Sequence, residues 1–291
     1  MAPSQGYAAK LGIGATSTVN LPLDFLNESL MADEEFVDRN GIRGTRSHII
    51  EPMRQGIRRI GGSITLQPTA VELTTLLPWI LGTPAVGNLY ALAETVPAMY
   101  VSIDRVLKVF QYDGCKVNRA VFSGSAGQPL TVTLDLIGID ETVNNAGTFP
   151  SLTLDTTTDP FMFHDCVLVI NSVTYNAPEI EIVVDNMLDT ERFFNSATRT
   201  SITAQNREIS VNTRLGYGDA SAAYATGIGG VGATATFTNG ATSLLFDFVK
   251  VVFPRKSPTV AGKTEIMMPM QGTAKMSSTT LELVTTLDSA P

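Results

Sequence analysis

Three short stretches carry the residue types that catalysis and ligand binding use. His164, Asp165 and Cys166 place an imidazole, a carboxylate and a thiol side by side, residues 227–232 read GIGGVG, and residues 124–127 read GSAG. The first would supply a nucleophile with its base, the second a dinucleotide-binding loop, and the third a turn that presents a nucleophilic serine. Each chemistry depends on the elements that position these residues.

Those elements do not match the chemistry. Neighbouring residues in an extended strand point to opposite faces, so Asp165 would not join His164 and Cys166. GIGGVG is followed by the alternating ATATFT rather than by a helix, which predicts a loop. GSAG lacks the GxSxG spacing and joins two predicted strands, so Ser125 is predicted to be a turn residue. We therefore predict no catalytic residue, no cofactor-binding site and no enzymatic activity.

Composition excludes further classes. The 291 residues are 44% hydrophobic and 16% charged, enough for one large core. A net charge of -8 and a pI near 4.8 argue against a basic groove for nucleic acid. No long apolar run and no signal-peptide pattern appear, so we expect synthesis in the cytosol and no membrane insertion. Cys115 and Cys166 are expected to be free thiols, and with only His48 as a second histidine we predict no metal site.

The first 60 residues divide sharply by charge. The acids come first and the arginines follow, with Glu51 the only acid in the basic half: Asp24, Glu28, Asp33, Glu34, Glu35, Asp38, then Arg39, Arg43, Arg46, Arg54, Arg58, Arg59. Blocks of opposite charge suit a head-to-tail contact between copies, and guanidinium groups pair with carboxylates through two bonds. We therefore predict an N-terminal arm over residues 1–60 that makes subunit contacts through Arg43, Arg46, Arg54, Arg58 and Arg59. A solvated irregular arm remains the alternative.

The remainder, residues 61–291, is predicted to be a single β domain with one clear helix. Thr69 and Glu72 form a capping box, apolar residues recur at helical spacing, and Gly82 ends the helix. A second, weaker helix is expected near residues 219–225. The predicted strands are residues 63–67, 99–103, 106–112, 116–123, 130–139, 167–175, 179–185, 208–213, 233–238, 244–253, 264–270 and 280–287.

The Asp113-Gly114 pair is expected to form a hairpin turn between two of these strands. A mostly antiparallel series of strands with one helix predicts a mainly β fold, an antiparallel β-sandwich or barrel with one flanking α-helix, a long N-terminal arm and loops.

The order of these features resembles the major tail tube proteins of long-tailed bacteriophages. The resemblance spans roughly residues 30–290 and rests on a pattern of strands, turns and one helix. The stretches that carry it are GIRGTR, GGSITLQPTAVELTTLLPWILG, YDGCKVNRAVFSGSAGQPLTVTLDLIG, DPFMFHDCVLVINSVTYNAPEIEIVVDN, FFNSATRTSITAQNREI and VVFPRKSP.

Membership would imply a structural protein of the virion tail without cofactors. Copies would form rings, expected to be hexameric, which stack into a tube through which DNA passes without specific binding. The tape measure, terminator and distal tail proteins would be neighbours. Related distal-tail or baseplate-hub ring proteins and a carbohydrate-binding β-sandwich remain alternatives, although the single Trp79 lies on the predicted helix rather than on a sugar-binding face.

The segment EIEIVVD, residues 179–185, offers a candidate lining for such a channel. Alternation directs Ile180, Ile182 and Val184 to the core. Glu179, Glu181 and Asp185, with Val183, would then face outward. We predict that these three carboxylates line the lumen and repel phosphate, with a solvated outer face as the alternative.

Overall fold

Antiparallel strands dominate the structure, a computed structural model that describes residues 5–38, 41–42, 44–47, 53–218, 227–260, 262–277 and 280–289. The described elements are β1 (Lys10–Gly14), β2 (Leu21–Leu23), β3 (Phe25–Glu28), β4 (Met31–Val37), β5 (Arg54–Leu66), α1 (Ala70–Leu81), β6 (Leu89–Ala91), β7 (Met99–Asp104), β8 (Lys108–Ser125), β9 (Thr131–Gly138), β10 (Asp140–Asn145), β11 (Cys166–Ile170), β12 (Val173–Tyr175), β13 (Glu179–Asp185), β14 (Leu188–Asp189), β15 (Thr203–Ala204), β16 (Glu208–Gly216), β17 (Val231–Asn239), β18 (Thr242–Val252), β19 (Met267–Ala274) and β20 (Leu283–Asp288). The expected mainly β fold with one helix is confirmed.

Apart from the separate β14–β15 pair, the strands form a small sheet and a large one. The small sheet has the order β2-β1-β7-β8-β10. The large sheet runs from β3 and β4 through β5, β9, β8, β13 and β16 to β19. It continues through the end of β18 to β17, β11 and β12, while β20 and β6 pair along the first half of β18.

The core lies between the two halves of the large sheet. Alternate residues of β8, β9, β13 and β16 point inward and meet those of β17, β18 and β20. The rings of Phe122 on β8 and Phe246 on β18 meet edge to face with centroids 5.0 Å apart. This packing of one half of the sheet on the other makes a β-sandwich.

The Asp113-Gly114 pair is not a hairpin turn, and that prediction is wrong. It lies inside β8, the 18-residue strand that replaces two predicted strands. Gly114 has a φ of 63°, and the register with β7 shifts beside it. A glycine in the left-handed conformation suits a β-bulge as well as a hairpin turn. Which of the two forms is decided by the strands that pair with this segment from elsewhere in the chain. Here β8 bends, leaving β7 and β10 of the small sheet for β9 and β13 of the large sheet.

The helix α1 covers one side of the sandwich. Thr69 and Glu72 form the expected capping box, and Gly82, at a φ of 98°, forms the C-cap. Leu73, Leu76, Leu77, Trp79 and Ile80 are buried against β6, β8, β18 and β20. The Trp79 side chain donates a hydrogen bond from Nε1 to the Cys115 carbonyl oxygen at 3.1 Å. The aromatic residue therefore anchors the helix rather than offering a binding surface.

Residues 10–37 contain four strands, β1 to β4, rather than the irregular arm that was the alternative. β1 pairs with β7, and β3 and β4 pair with β5. The boundary predicted at residue 60 falls within β5, which is continuous from Arg54 to Leu66. The weak helix expected over residues 219–225, and His48, lie outside the described residues.

Candidate assembly surfaces

One face of the large sheet is polar across five neighbouring strands, β9, β8, β13, β16 and β19. We call it the polar face. It consists of the outward residues Thr131, Thr133, Asp135, Arg119, Val121, Ser123, Glu179, Glu181, Val183, Asp185, Glu208, Ser210, Asn212, Arg214, Pro269, Gln271 and Thr273. Five of these are carboxylates and two are guanidinium groups. No described element covers this face.

The three predicted lumen carboxylates all lie on the polar face, and their inward neighbours Ile180 and Ile182 are buried as expected. Val183 shares the outward side but is only 6% exposed. It stands opposite Val121 on β8 and Ser210 on β16, so its neighbours shield it. Whether this face lines a channel stays a prediction.

Cross-strand contacts hold the carboxylates of the polar face in place. The Arg214 guanidinium contacts Glu179 through Nε at 2.6 Å and Nη2 at 3.0 Å. Asn212 donates from Nδ2 to Glu181 Oε1 at 2.9 Å. Asp185 accepts the backbone N–H of Met187 at 2.9 Å. Glu179 is thus paired with a cation, whereas Glu181 accepts from a neutral amide.

Charged side chains are concentrated at the end of the polar face where Asp185 lies. Asp185 stands opposite Arg119 on β8 and Glu208 on β16, and Arg119 lies 4.0 Å from Asp135. Burial raises the pKa of Asp135, nearby Asp185 raises it further, and Arg119 lowers it. Asp135, Asp185 and Glu208 therefore share the single guanidinium of Arg119. This leaves a net negative charge at this end of the polar face.

A shallow depression of about 490 Å³ lies at the opposite end of the polar face. Its lining includes Ser125, Gln128, Glu179, Arg214 and Gln271. These side chains are polar and partly paired with one another, so the depression offers no apolar pocket or aromatic platform for a ligand.

The structure places Arg58 and Arg59 in contact with carboxylates of their own chain. β4 and β5 form a hairpin, and Arg58 contacts Glu34 at 2.9 Å and Asp140 at 3.0 Å. The hydrogen bond to Glu34 is the largest influence that raises the pKa of Arg58. Arg59 contacts Glu35 at 3.3 Å and Glu191 at 3.4 Å.

The remaining predicted arginines have fewer described contacts. Arg54 begins β5, Arg46 is exposed on a bend, and Arg43 lies outside the described residues. The acidic and basic blocks thus meet inside one chain at Arg58 and Arg59. Contact of the five arginines with another subunit stays a prediction.

A loop that sequence reasoning missed supports this hairpin. It runs over residues 190–202 between the paired strands β14 and β15. Arg199, 5% exposed, donates from Nη1 to the carbonyl oxygens of Ile60 and Gly138 at 2.8 and 2.9 Å, and from Nε to Thr190 at 2.9 Å. The arginine therefore fastens the loop to the point where β5 leaves β9.

β19 has an open edge. Lys275 N–H bonds to the Lys250 carbonyl at 2.7 Å, and β18 pairs with β19 as far as Val252. If β18 continued in the same register, the next residue to hydrogen-bond with β19 would be Pro254, which has no N–H. Phe253 instead donates to Gly227 at 3.1 Å. Over residues 267–271, β19 consequently pairs only with β16 among the described strands.

The stretches that carry reactive residue types adopt structural roles. His164 and Asp165 lie in a 3-10 turn rather than in an extended strand, and Cys166 begins β11. Asp165 accepts the Met162 N–H at 2.8 Å, so it caps the turn. Burial raises the pKa of the Cys166 thiol to about 12, which disfavours the nucleophilic thiolate.

The glycine-rich stretches lie where strands begin or end. Gly227–Gly229 is a 3-10 turn, and β17 begins at Val231 within the same stretch. GSAG spans the end of β8 and the turn towards β9, and Ser125 is the last residue of β8 rather than a turn residue. Within the described ranges, no three His, Cys, Asp or Glu side chains are grouped to hold a metal ion. No helix of the described chain is long and apolar enough to span a membrane.

The comparison with protein families agrees with this architecture. A family model described as phage tail tube protein matches residues 6–280. No curated protein matches the chain. The matched range includes every described strand from β1 to β19 and the helix α1. This match confirms the resemblance carried by the sequence, and the chain belongs to the phage tail tube protein family.

Proposed function

We propose that this chain is the major tail tube subunit, copies of which form rings that stack into a tube in the virion. Hexameric rings are the expectation from the family resemblance. The observation that carries the proposal is the polar face: a broad, uncovered sheet surface in a member of the tube family. A wall that contacts water and a passing polymer needs such a surface.

The charge of the polar face suits a channel for DNA. Its five carboxylates outnumber its two guanidinium groups, and the whole chain carries a net charge of -8. Like charges keep a polyanion from adhering to a wall that it must slide past. Because Glu179 and Glu181 are fixed by Arg214 and Asn212, the wall would keep its pattern during passage.

Ring closure requires a heterologous contact, in which one surface meets a different surface of the next copy. The large sheet supplies two candidates, the open edge of β19 and the edge formed by β3 and β4. Backbone pairing between neighbouring copies at these edges would continue the sheet around the ring. Arg43, Arg46 and Arg54 would add contacts beyond the hairpin.

The same proposal assigns partners and location. The tube would contact further copies of itself and, at its ends, the tape measure, terminator and distal tail proteins. DNA would pass through without specific binding. The subunit would act in the virion tail as a channel for genome ejection and not as an enzyme.

Negative-stain electron microscopy of the purified, concentrated protein tests the proposal. We expect rings or tubes with a central stain-filled channel, and class averages give the number of copies per ring. Single rings that never stack would favour a distal-tail or baseplate-hub role. Monomers at every concentration, checked by light scattering, would contradict the proposal.

A further inference from the structure

One edge of the large sheet carries a concentration of positive charge in an acidic chain. Between residues 250 and 275 the cations are Lys250, Arg255, Lys256, Lys263 and Lys275, and Glu265 is the only acid. We call these five cations the basic edge. Two of them lie where β18 and β19 pair, and three lie in the connection that leads from β18 to the open edge of β19.

The basic edge is exposed and brings like charges close together. All five side chains are exposed. Lys250 and Lys275 stand directly opposite each other across β18 and β19, an arrangement that like charges disfavour. Lys256 and Lys263 form no ion pair with any described residue. A counter-charge from outside the chain would relieve this repulsion.

The strand at the other edge of the same sheet is acidic, although Arg58 and Arg59 on the neighbouring β5 pair with some of its carboxylates. Residues 24–38 contain six acids and no Lys or Arg. Asp33, Glu34 and Glu35 lie on β4, which pairs only with β5 among the described strands. We call these three the acidic edge. Asp33 is exposed without an ion pair to a described residue, and the Glu35 side chain is 59% exposed beside Arg59.

We propose that the basic edge of one copy binds the acidic edge of a second copy beside it in the same ring. Five strands, β16, β13, β8, β9 and β5, separate the two edges, so one copy cannot bring them together without closing the whole sheet. Because the two charges lie at opposite edges, each copy can bind one neighbour through its basic edge and a second neighbour through its acidic edge. Repetition of this heterologous contact produces a ring when it closes. The inference rests on the proposed function and names the lateral contact within it.

Complementary charge reversal tests this contact. The first variant, Lys250→Glu with Lys256→Glu and Lys263→Glu, has two acidic edges, because four acids including Glu265 then face two remaining cations. The second, Asp33→Lys with Glu35→Lys, has two basic edges. We expect each variant alone to raise the concentration needed for ring formation at least tenfold, because like charges meet at every contact. An equimolar mixture should assemble near the wild-type concentration, since alternating copies restore every pair in an even-numbered ring.

Three controls keep the outcome interpretable. Thermal unfolding and circular dichroism establish that each variant folds, and Lys10→Glu, on the small sheet, should assemble as wild type does. Wild-type assembly should weaken as salt rises from 50 to 500 mM, as screening requires.

Each outcome decides the matter. Assembly of either folded variant alone at the wild-type concentration would overturn the lateral contact while leaving the tube function intact. Failure of the mixture, with both variants folded, would also overturn it. A wild-type protein that forms no rings would remove the proposed function itself, and this inference with it.

Discussion

At the scale of single residues, Gly114 decides how the two sheets are joined. Its φ of 63° lies in the left-handed region, and a Cβ at this position would lie 2.7 Å from the Ile139 Cδ1 atom. The backbone conformation therefore favours glycine, and an added Cβ would also force the Ile139 side chain to shift.

We predict that Gly114→Ala lowers the free energy of unfolding by about 2 kcal/mol or more, from left-handed strain and from the clash with Ile139. Urea unfolding measures the change. Gly127→Ala is the matched control, because its φ of 78° is similar but no atom lies within 4 Å of the added Cβ. Its expected loss is about 1 kcal/mol. Equal losses in both variants would show that the contact with Ile139 does not matter.

Arg199 is the second residue on which local structure depends. It is buried, and burial lowers its pKa, yet its described hydrogen bonds go to three backbone carbonyls. Arg199→Met keeps the length and removes the donors, leaving the carbonyls of Ile60 and Gly138 short of a partner. We expect a loss of about 2–3 kcal/mol.

Hydrogen exchange locates the effect of Arg199→Met, and we expect faster exchange over residues 189–204 than in the rest of the chain. Arg192→Met removes an ion pair with Asp189 from a side chain that is 53% exposed. That control should cost no more than about 1 kcal/mol. Unchanged exchange in the loop of the Arg199 variant would contradict the proposed anchoring.

At the scale of elements, the start of α1 links stability to pH. Glu72 is 5% exposed and accepts the Thr69 N–H at 2.9 Å. Burial raises its pKa above the ordinary value of 4.5, and the hydrogen bond from Thr69 partly opposes this. A carboxyl group with a raised pKa binds its proton more tightly in the folded state, so its contribution is largest below pH 4.5 and falls as pH rises through the raised pKa.

We therefore predict that wild-type protein loses stability relative to Glu72→Gln as the pH rises from about 4 to 7, because glutamine does not ionise. Urea midpoints at several pH values measure the difference. Glu265→Gln, which changes an exposed glutamate, is the control. A constant difference between wild type and Glu72→Gln across the range would contradict the prediction.

At the scale of the whole molecule, the polar face determines what the assembled protein does to a polyanion. If it lines the lumen, reversing its charge with Glu181→Lys and Asp185→Lys should make assembled tubes retain a short oligonucleotide, and salt should release it. Retention by co-sedimentation and protection from nuclease measure this. Asp247→Lys, on β18, is the control. Bound oligonucleotide that stays fully nuclease-sensitive would place the face outside.

Local signals made part of this architecture predictable. The capping box of Thr69 and Glu72 and the Gly82 C-cap defined α1 to within one residue, because such signals act over one turn. Alternation likewise identified β9 and β13. The bend at Gly114 was missed because Asp-Gly suits either a hairpin or a bulge, and distant strands decide which. The basic edge was missed because its cations are far apart in the sequence. Only the pairing of β18 with β19 brings Lys250 and Lys275 together.

The bend in β8 also has a mechanical consequence. β8 belongs to both sheets, and its partner β9 continues into β10 with only Ile139 between them. Two adjacent strands therefore cross the corner together, hydrogen-bonded on both sides of it. A shearing force on one sheet is transmitted to the other through the continuous backbones of β8 and of β9–β10. Loss of side-chain packing alone therefore cannot let the sheets slide apart. Separating them requires rupture of backbone hydrogen bonds along the ribbon, which gives each subunit a stiff joint between its two sheets.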